Sequence, residues 1–150
     1  MNEKIVALID VDGTISLVGD RLKHLQKESP DWNAFFNAYD EDLPNEIIIK
    51  VVELLHYEYN IVFCTGKPES VRDKTEGWIK EHLPFLGSDY ELLMRSDGDY
   101  RHDSEVKPEM LEAVGIFPDD IAIALDDRNS MVSLWRSRGI TCLQVADGNF

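Results

Sequence analysis

Asp10 and Asp12 stand two residues apart at the end of an apolar run, in Ile5-Val-Ala-Leu-Ile9-Asp-Val-Asp-Gly-Thr14. In extended geometry a period of two points both carboxylates the same way, and Gly13 lets the backbone bend behind them. Left alone they would repel; a hard cation such as Mg²⁺ offsets that. Further on, Thr65-Gly66 follows a second apolar run, Lys107-Pro108 follows a polar stretch, and Asp126-Asp127 follows another apolar run. Acids, a hydroxyl and an amine form a set suited to phosphoryl transfer. Asp10 would attack phosphorus and carry it as an aspartyl-phosphate, splitting one hard displacement into two easier ones. Mg²⁺ held by Asp10, Asp126 and a backbone carbonyl near Asp12 would offset the repulsion between nucleophile and phosphate. Lys107 and the Thr65 hydroxyl would hold non-bridging oxygens, and Asp12 would give a proton to the leaving alcohol, then take one from water. Each signal also has a plainer reading: an Asp-Gly turn, a helix cap at Thr65, Asp126 or Asp127, a surface lysine at 107. Their succession at strand ends is what favours chemistry.

The elements that must position these residues alternate. The run ending at Ile9 reads as a strand buried on both faces, as do Ile61 to Cys64, Ile121 to Leu125 and Ile140 to Val145, with Glu91 to Met94 a weaker one. Between them, Pro44 and Asn45 open a helix through Ile48, Val51, Val52, Leu55 and Tyr59. Pro68 suits the first turn of a helix lasting to about His82, and Lys107-Pro108 starts a short one that Gly115 can end. A last helix turns Met131, Val132, Leu134 and Trp135 inward. Residues 15–43 read as an insertion of two short helices, a small cap near Asp10 and Asp12. The stripe Trp32, Phe35, Phe36 and Tyr39 reads as a face packed on the body, not as a site. Alternation of this kind predicts an α/β fold: a single three-layer, Rossmann-like domain over residues 1–150 with a central parallel sheet of about five strands. Ligands bind beyond the carboxyl ends of such strands, where these acids, Thr65 and Lys107 collect.

The 150 residues carry a net charge of −14 with a pI near 4.5, which repels long polyanions and disfavours an extended nucleic-acid groove. No apolar run approaches the roughly 20 residues of a membrane span, and the expected setting is cytoplasmic. Cys64 and Cys142 fall inside predicted strands without metal-ligand spacing, so they read as core residues.

Asp10-Val-Asp-Gly-Thr14, Thr65-Gly66, Lys107 and Asp126-Asp127 resemble the four motifs of the haloacid dehalogenase (HAD) superfamily of phosphohydrolases. Within it the chain is similar to the 3′-phosphatase domain of bacteriophage polynucleotide kinase/phosphatase, through Met94-Arg95, Gly98 to Asp103, Lys107, Leu125 to Arg128, Trp135 and Gln144 to Phe150. The resemblance implies Mg²⁺ as cofactor, a phosphorylated nucleic-acid end or nucleotide as substrate, and metal ligands among Asp10, Asp12, Asp126 and Asp127. It also places Arg21, Asp103 and Lys107 around the phosphate and metal. Where the family usually has Gly-Arg, this chain has Gly66-Lys67, which turns a bidentate phosphate contact into a point charge. No GxxxxGK[ST] occurs, so no ATP site is expected.

Arg95, Arg101, His102 and Arg128 fall in loops expected to border the pocket, an island of positive charge suited to a terminal nucleotide. Scattered solvated charge is the plainer alternative. Three functions follow in order of preference: a Mg²⁺-dependent polynucleotide 3′-phosphatase, a nucleotidase or other small-molecule phosphatase, and a non-catalytic binding protein that kept the fold.

Overall fold

The computed structural model describes residues 4–19, 24–37 and 42–150. Its centre is β1 (Val6–Ile9), buried at every position. β4 (Asn60–Pro68) and β6 (Ile121–Asp126) flank it in parallel; β5 (Glu91–Arg95) lies outside β4 and β7 (Cys142–Gln144) outside β6. The order is β5-β4-β1-β6-β7, so the chain winds outward from β1 in one direction, then returns to wind outward in the other. The crevice where that direction reverses lies between β1 and β6, at their carboxyl ends. Asp10 and Asp126 are the residues found there.

Period-two alternation splits the core into two faces. Ala7 and Ile9 of β1, with Ile61 and Phe63 of β4, pack against Val52 of α2 (Glu46–His56) and Ile79 of α3 (Arg72–His82). Val6, Leu8, Val62 and Cys64 pack on the other side against Leu111 of α4 (Asp103–Ala113) and Trp135 of α5 (Asn129–Ser137). Asp10 continues the parity of Val6 and Leu8, so it emerges on the side covered by α4 and α5. That is where Lys107 comes from. Cys64 and Cys142 are buried and unpaired with each other, as expected.

Several boundaries differ from the sequence reading. Within 15–43 the described residues hold α1 (Trp32–Asn37), the second of the two helices expected, and a two-stranded antiparallel ladder closes the base of the insertion, β2 (Ser16–Leu17) on β3 (Leu43–Pro44). Pro44 therefore belongs to that ladder, and α2 starts one residue after Asn45. Asn45 instead ties the two ends of the insertion together, its side chain donating to the Thr14 carbonyl and its backbone N–H to Ile15. Arg21, in the expected first helix, and Tyr39 lie outside the described residues. Pro68 ends β4, and a single 3₁₀ turn (Glu69–Val71) comes before α3. α4 begins four residues before Lys107. His102 caps it by accepting from the Ser104 N–H, and Asp103 and Glu105 suit the positive end of the helix. Pro108 sits inside this helix and does not start it. No described helix is long and apolar enough to cross a membrane.

Candidate active site

Backbone geometry aims the rim residues. Between Thr65 and Pro68 the pairing of β4 with β5 slips, and the extra residues Gly66 and Lys67 form a bulge. A bulge re-aims side chains, and here Lys67 turns fully inward to pair with Asp12 at 2.5 Å. The Thr65 hydroxyl accepts from the Lys67 N–H at 3.2 Å, locking the turn. Gly13 has φ of +80°, and a Cβ there would lie 2.1 Å from Asp127 Oδ2, so glycine is required twice over. Gly66 is needed for space: a Cβ would meet the Asp103 carboxylate at 2.4 Å.

Asp10, Lys107, Asp126 and Asp127 converge below this rim. Lys107 Nζ donates to Asp10 Oδ1 at 2.7 Å and stands 3.7 Å from Asp126 Oδ2. Asp10 Oδ2 accepts from the Thr14 hydroxyl at 3.0 Å, and Asp127 Oδ1 lies 3.5 Å from the same hydroxyl. The Trp135 indole N–H donates to Asp126 Oδ2, and the Arg128 N–H to Asp126 Oδ1. Oxygens of Asp10, Asp126 and Asp127 all lie within 4.8 Å of one another, and all three residues are buried. Burial, reinforced by Asp126, pushes the Asp10 carboxyl well above its usual range, with Lys107 pulling the other way. Asp127 is raised as well, mainly by burial. Burial alone would lower the Lys107 ammonium; Asp10, Asp126 and Asp103 outweigh it, so the group is raised and stays charged. Three carboxylates against one ammonium leave two negative charges in a buried volume, the excess that one divalent cation neutralises. An octahedral hard ion at about 2.1 Å from each ligand needs oxygens about 3–4 Å apart, so the set fits with little movement. The Asp12 carboxylate stands apart from this cluster, on Lys67.

The arginines bind the loops to one another. Arg95 donates through Nε to the Gly66 carbonyl, through Nη1 to the carbonyls of Asp99 and Arg101, and through Nη2 to Asp103 Oδ1. Four of its five N–H groups are thus engaged by the protein. Arg101 forks onto Asp99 and Glu109. Arg128 reaches Asp103 Oδ2 and the Phe150 carbonyl, with its guanidinium over the Phe150 ring. Asp103, between Arg95 and Arg128, is buried enough to be raised, yet Lys107, Arg128 and Arg95 outweigh that and hold it below its ordinary 3.8. A depressed carboxyl stabilises the fold above its unfolded value and loses that contribution as pH falls through the folded one. Asp103→Asn is therefore expected to cost about 1–3 kcal/mol at neutral pH and to flatten the acid limb of stability below pH 3.8, read as urea midpoints across that range. A variant with the wild-type acid limb would remove the assigned role.

Sequence reading thus located Asp10, Asp12, Thr65, Gly66, Lys67, Asp103, Lys107, Asp126, Asp127 and Arg128 at one rim. Arg95 is there too, but its donors mostly serve the protein, and Arg101 lies in the loop before α4, forked onto Asp99 and Glu109. Thr14 and Trp135 were given no role, although each hydrogen-bonds a cluster carboxylate. The threonine of the DxDGT stretch was the available signal.

The family model for the polynucleotide kinase PNKP phosphatase domain matches residues 4–150. The chain belongs to that family. It is a PNKP-type phosphatase domain of the HAD superfamily, as its motifs implied. A chain from a structure of the Pnkp1/Rnl/Hen1 complex is similar at 29% identity and a TM-score of 0.74, over 98% of this chain and 47% of that one. Another, from the Pnkp1/Rnl/Hen1 RNA repair complex, gives 27% identity and 0.78, over 98% and 44%. This PNKP-type domain therefore spans less than half the length of those chains. A HAD enzyme of Bacteroides thetaiotaomicron, solved with magnesium and inorganic phosphate, shares the fold at 12% identity and a TM-score of 0.59, over 99% of this chain and 97% of that one.

Proposed function

We propose that this domain hydrolyses the phosphate monoester at the 3′ end of a nucleic acid, using Mg²⁺. The observation that carries the reading is the Lys107 ammonium 2.7 Å from Asp10, inside a buried triad of acids that fits a divalent cation. Its setting supports it: a PNKP-type phosphatase domain, similar along 98% of its length to a chain of an RNA repair complex.

Asp10, Asp126 and Asp127 would hold Mg²⁺, which would supply positive charge against the phosphate oxygens. Asp10 attacks phosphorus with a carboxylate oxygen as the bond to the 3′ oxygen breaks. Lys107 and Thr14 fix the plane of that carboxylate and leave each oxygen a lone pair. Asp12, partly open to solvent, gives its proton to the leaving oxygen. It then takes one from a water that attacks the phospho-aspartate, and inorganic phosphate leaves with Asp10 restored. Lys67 keeps Asp12 at the bulge while it does so. Thr65, Gly66 and Lys107 line the phosphate's seat, and Arg128 and Asp103 border it.

The test is turnover with Mg²⁺ of a 3′-phosphorylated oligonucleotide, a 5′-phosphorylated one, free 3′- and 5′-nucleotides and an aryl phosphate. Preference for the 3′-phosphorylated oligonucleotide is expected. Turnover confined to free nucleotides would instead establish a nucleotidase, a reading favoured by the self-engagement of Arg95 and Arg101. Absence of turnover on every ester would leave only a binding protein.

A further inference from the structure

A cavity lies on the insertion side of the domain. It is open to solvent, with about 420 Å³ of space, and is lined by Ser29, Pro30, Asp31, Trp32 and Asn33, and by Tyr100 from the loop between β5 and α4. In the sequence the Trp32 stripe reads as packing in preference to base stacking, and Tyr100 carries no site role. Of the predicted stripe, Phe35 is buried and Trp32 is half exposed, its ring meeting Phe35 edge-on. Tyr100 is 92% exposed.

We propose that this cavity receives a nucleobase of the strand whose phosphorylated end lies at Asp10. The inference rests on the nucleic-acid reading above. Two aromatic rings from separate segments provide stacking surface, and every base has a face to stack whatever its sequence. Among the described residues no cation lines the cavity and Asp31 is its one charged residue, so a phosphate is disfavoured there where a neutral base is not. The Ser29 hydroxyl and Asn33 amide can meet the donors and acceptors on a base edge.

The cavity is also built, and built onto the active site. Arg95 donates to the carbonyls on both sides of Tyr100, those of Asp99 and Arg101, while its other donors hold Gly66 and Asp103. One guanidinium thus fixes the loop that presents Tyr100 relative to the phosphate rim. Asp103 abuts Gly66, and the three residues from Tyr100 to Asp103 span at most about 11 Å, so the ring stays within reach of terminal nucleotides. On the other wall, Asp31 accepts from the Ala34 N–H and donates its own N–H to the His24 carbonyl, and buried Phe35 anchors α1. Arg95 thereby finds a use that direct phosphate contact does not give it.

Of the three tryptophans, Trp78 and Trp135 are buried, so quenching of fluorescence by a ligand at the surface reports Trp32. An unphosphorylated oligonucleotide, which cannot be turned over, should quench it saturably. Tyr100→Ala should weaken that binding about tenfold, and Tyr100→Phe should restore it. In turnover, Tyr100→Ala and Trp32→Ala should each lower kcat/KM for a 3′-phosphorylated oligonucleotide about tenfold relative to that for an aryl phosphate. No quenching, or a Tyr100→Ala variant equal to wild type in both binding and that ratio, would overturn the subsite. Quenching without turnover of 3′-phosphorylated ends would keep the subsite and reject the proposed function. Normal turnover without quenching would do the reverse.

Discussion

Asp10→Asn is expected to lower turnover of every phosphate ester by about 10⁴-fold or more, the scale of losing an enzyme's nucleophile. An amide oxygen is a poor nucleophile and a poor ligand for a hard cation, so one substitution removes two functions. The fold should tolerate it. Asparagine is nearly isosteric, its carbonyl can still accept from Lys107, and the Thr14 hydroxyl can rotate to accept from its NH₂. Burial and Asp126 already disfavour the charge at this position, so removing it relieves a cost, although Lys107 then loses its shortest ion pair and keeps the longer one to Asp126, at 3.7 Å. Stability near that of wild type, together with lost turnover of an aryl phosphate, would separate chemistry from folding. An active Asp10→Asn protein would end the assignment of Asp10 as nucleophile.

Much of this site was legible because strands in a parallel sheet are short, apolar and followed by what they deliver. Ile5 to Ile9 announced both the central strand and the position of Asp10, and parity along β1 explains why Lys107 of α4, and no residue of α2 or α3, meets that carboxylate. The crevice between β1 and β6 was not readable from periodicity, since the order of strands is a long-range property. What failed was local. Pro44, Pro68 and Pro108 were each read as helix starts, yet one lies in a ladder, one ends a strand and one sits inside a helix. Proline restricts the backbone angle equally in each of these settings, so it marks a constraint without naming the element. The cap at His102 was the better signal for α4.

Charge partners were the other blind spot. Arg95, Arg101 and Arg128 looked like an island awaiting an anion, but Asp99, Asp103 and Glu109 meet them in three dimensions. In a chain with 29 acidic and 15 basic residues, a loop arginine more readily finds an intramolecular carboxylate than stays open for a ligand. Lys67 shows the same effect: expected on phosphate, it is buried against Asp12. Composition carried this warning, and sequence position did not.

Lys107→Met should have the second largest effect, and it divides into two measurements. The methionine fills much of the same space but leaves Asp10, Asp126 and Asp127 without the ammonium between them. Breaking a buried pair from one side costs about 3–5 kcal/mol, because the remaining charges stay buried and unpaired. Without divalent ions the variant should therefore unfold at much lower urea than wild type. Asp10 and Asp127 are already raised by burial, and with no cation beside them they are raised further. Groups raised in the fold take up protons on folding, so the deficit should shrink as pH falls from neutral toward their raised values. Added Mg²⁺ should recover more stability in Lys107→Met than in wild type, since it meets three uncompensated carboxylates in place of two. Turnover should stay lost even at saturating Mg²⁺, because the cation can replace the charge that Lys107 gives the acids but not the hydrogen bond that it gives Asp10 and the phosphate. Recovery of stability and turnover together would show that Lys107 serves only to balance charge; recovery of stability alone would place it in the reaction.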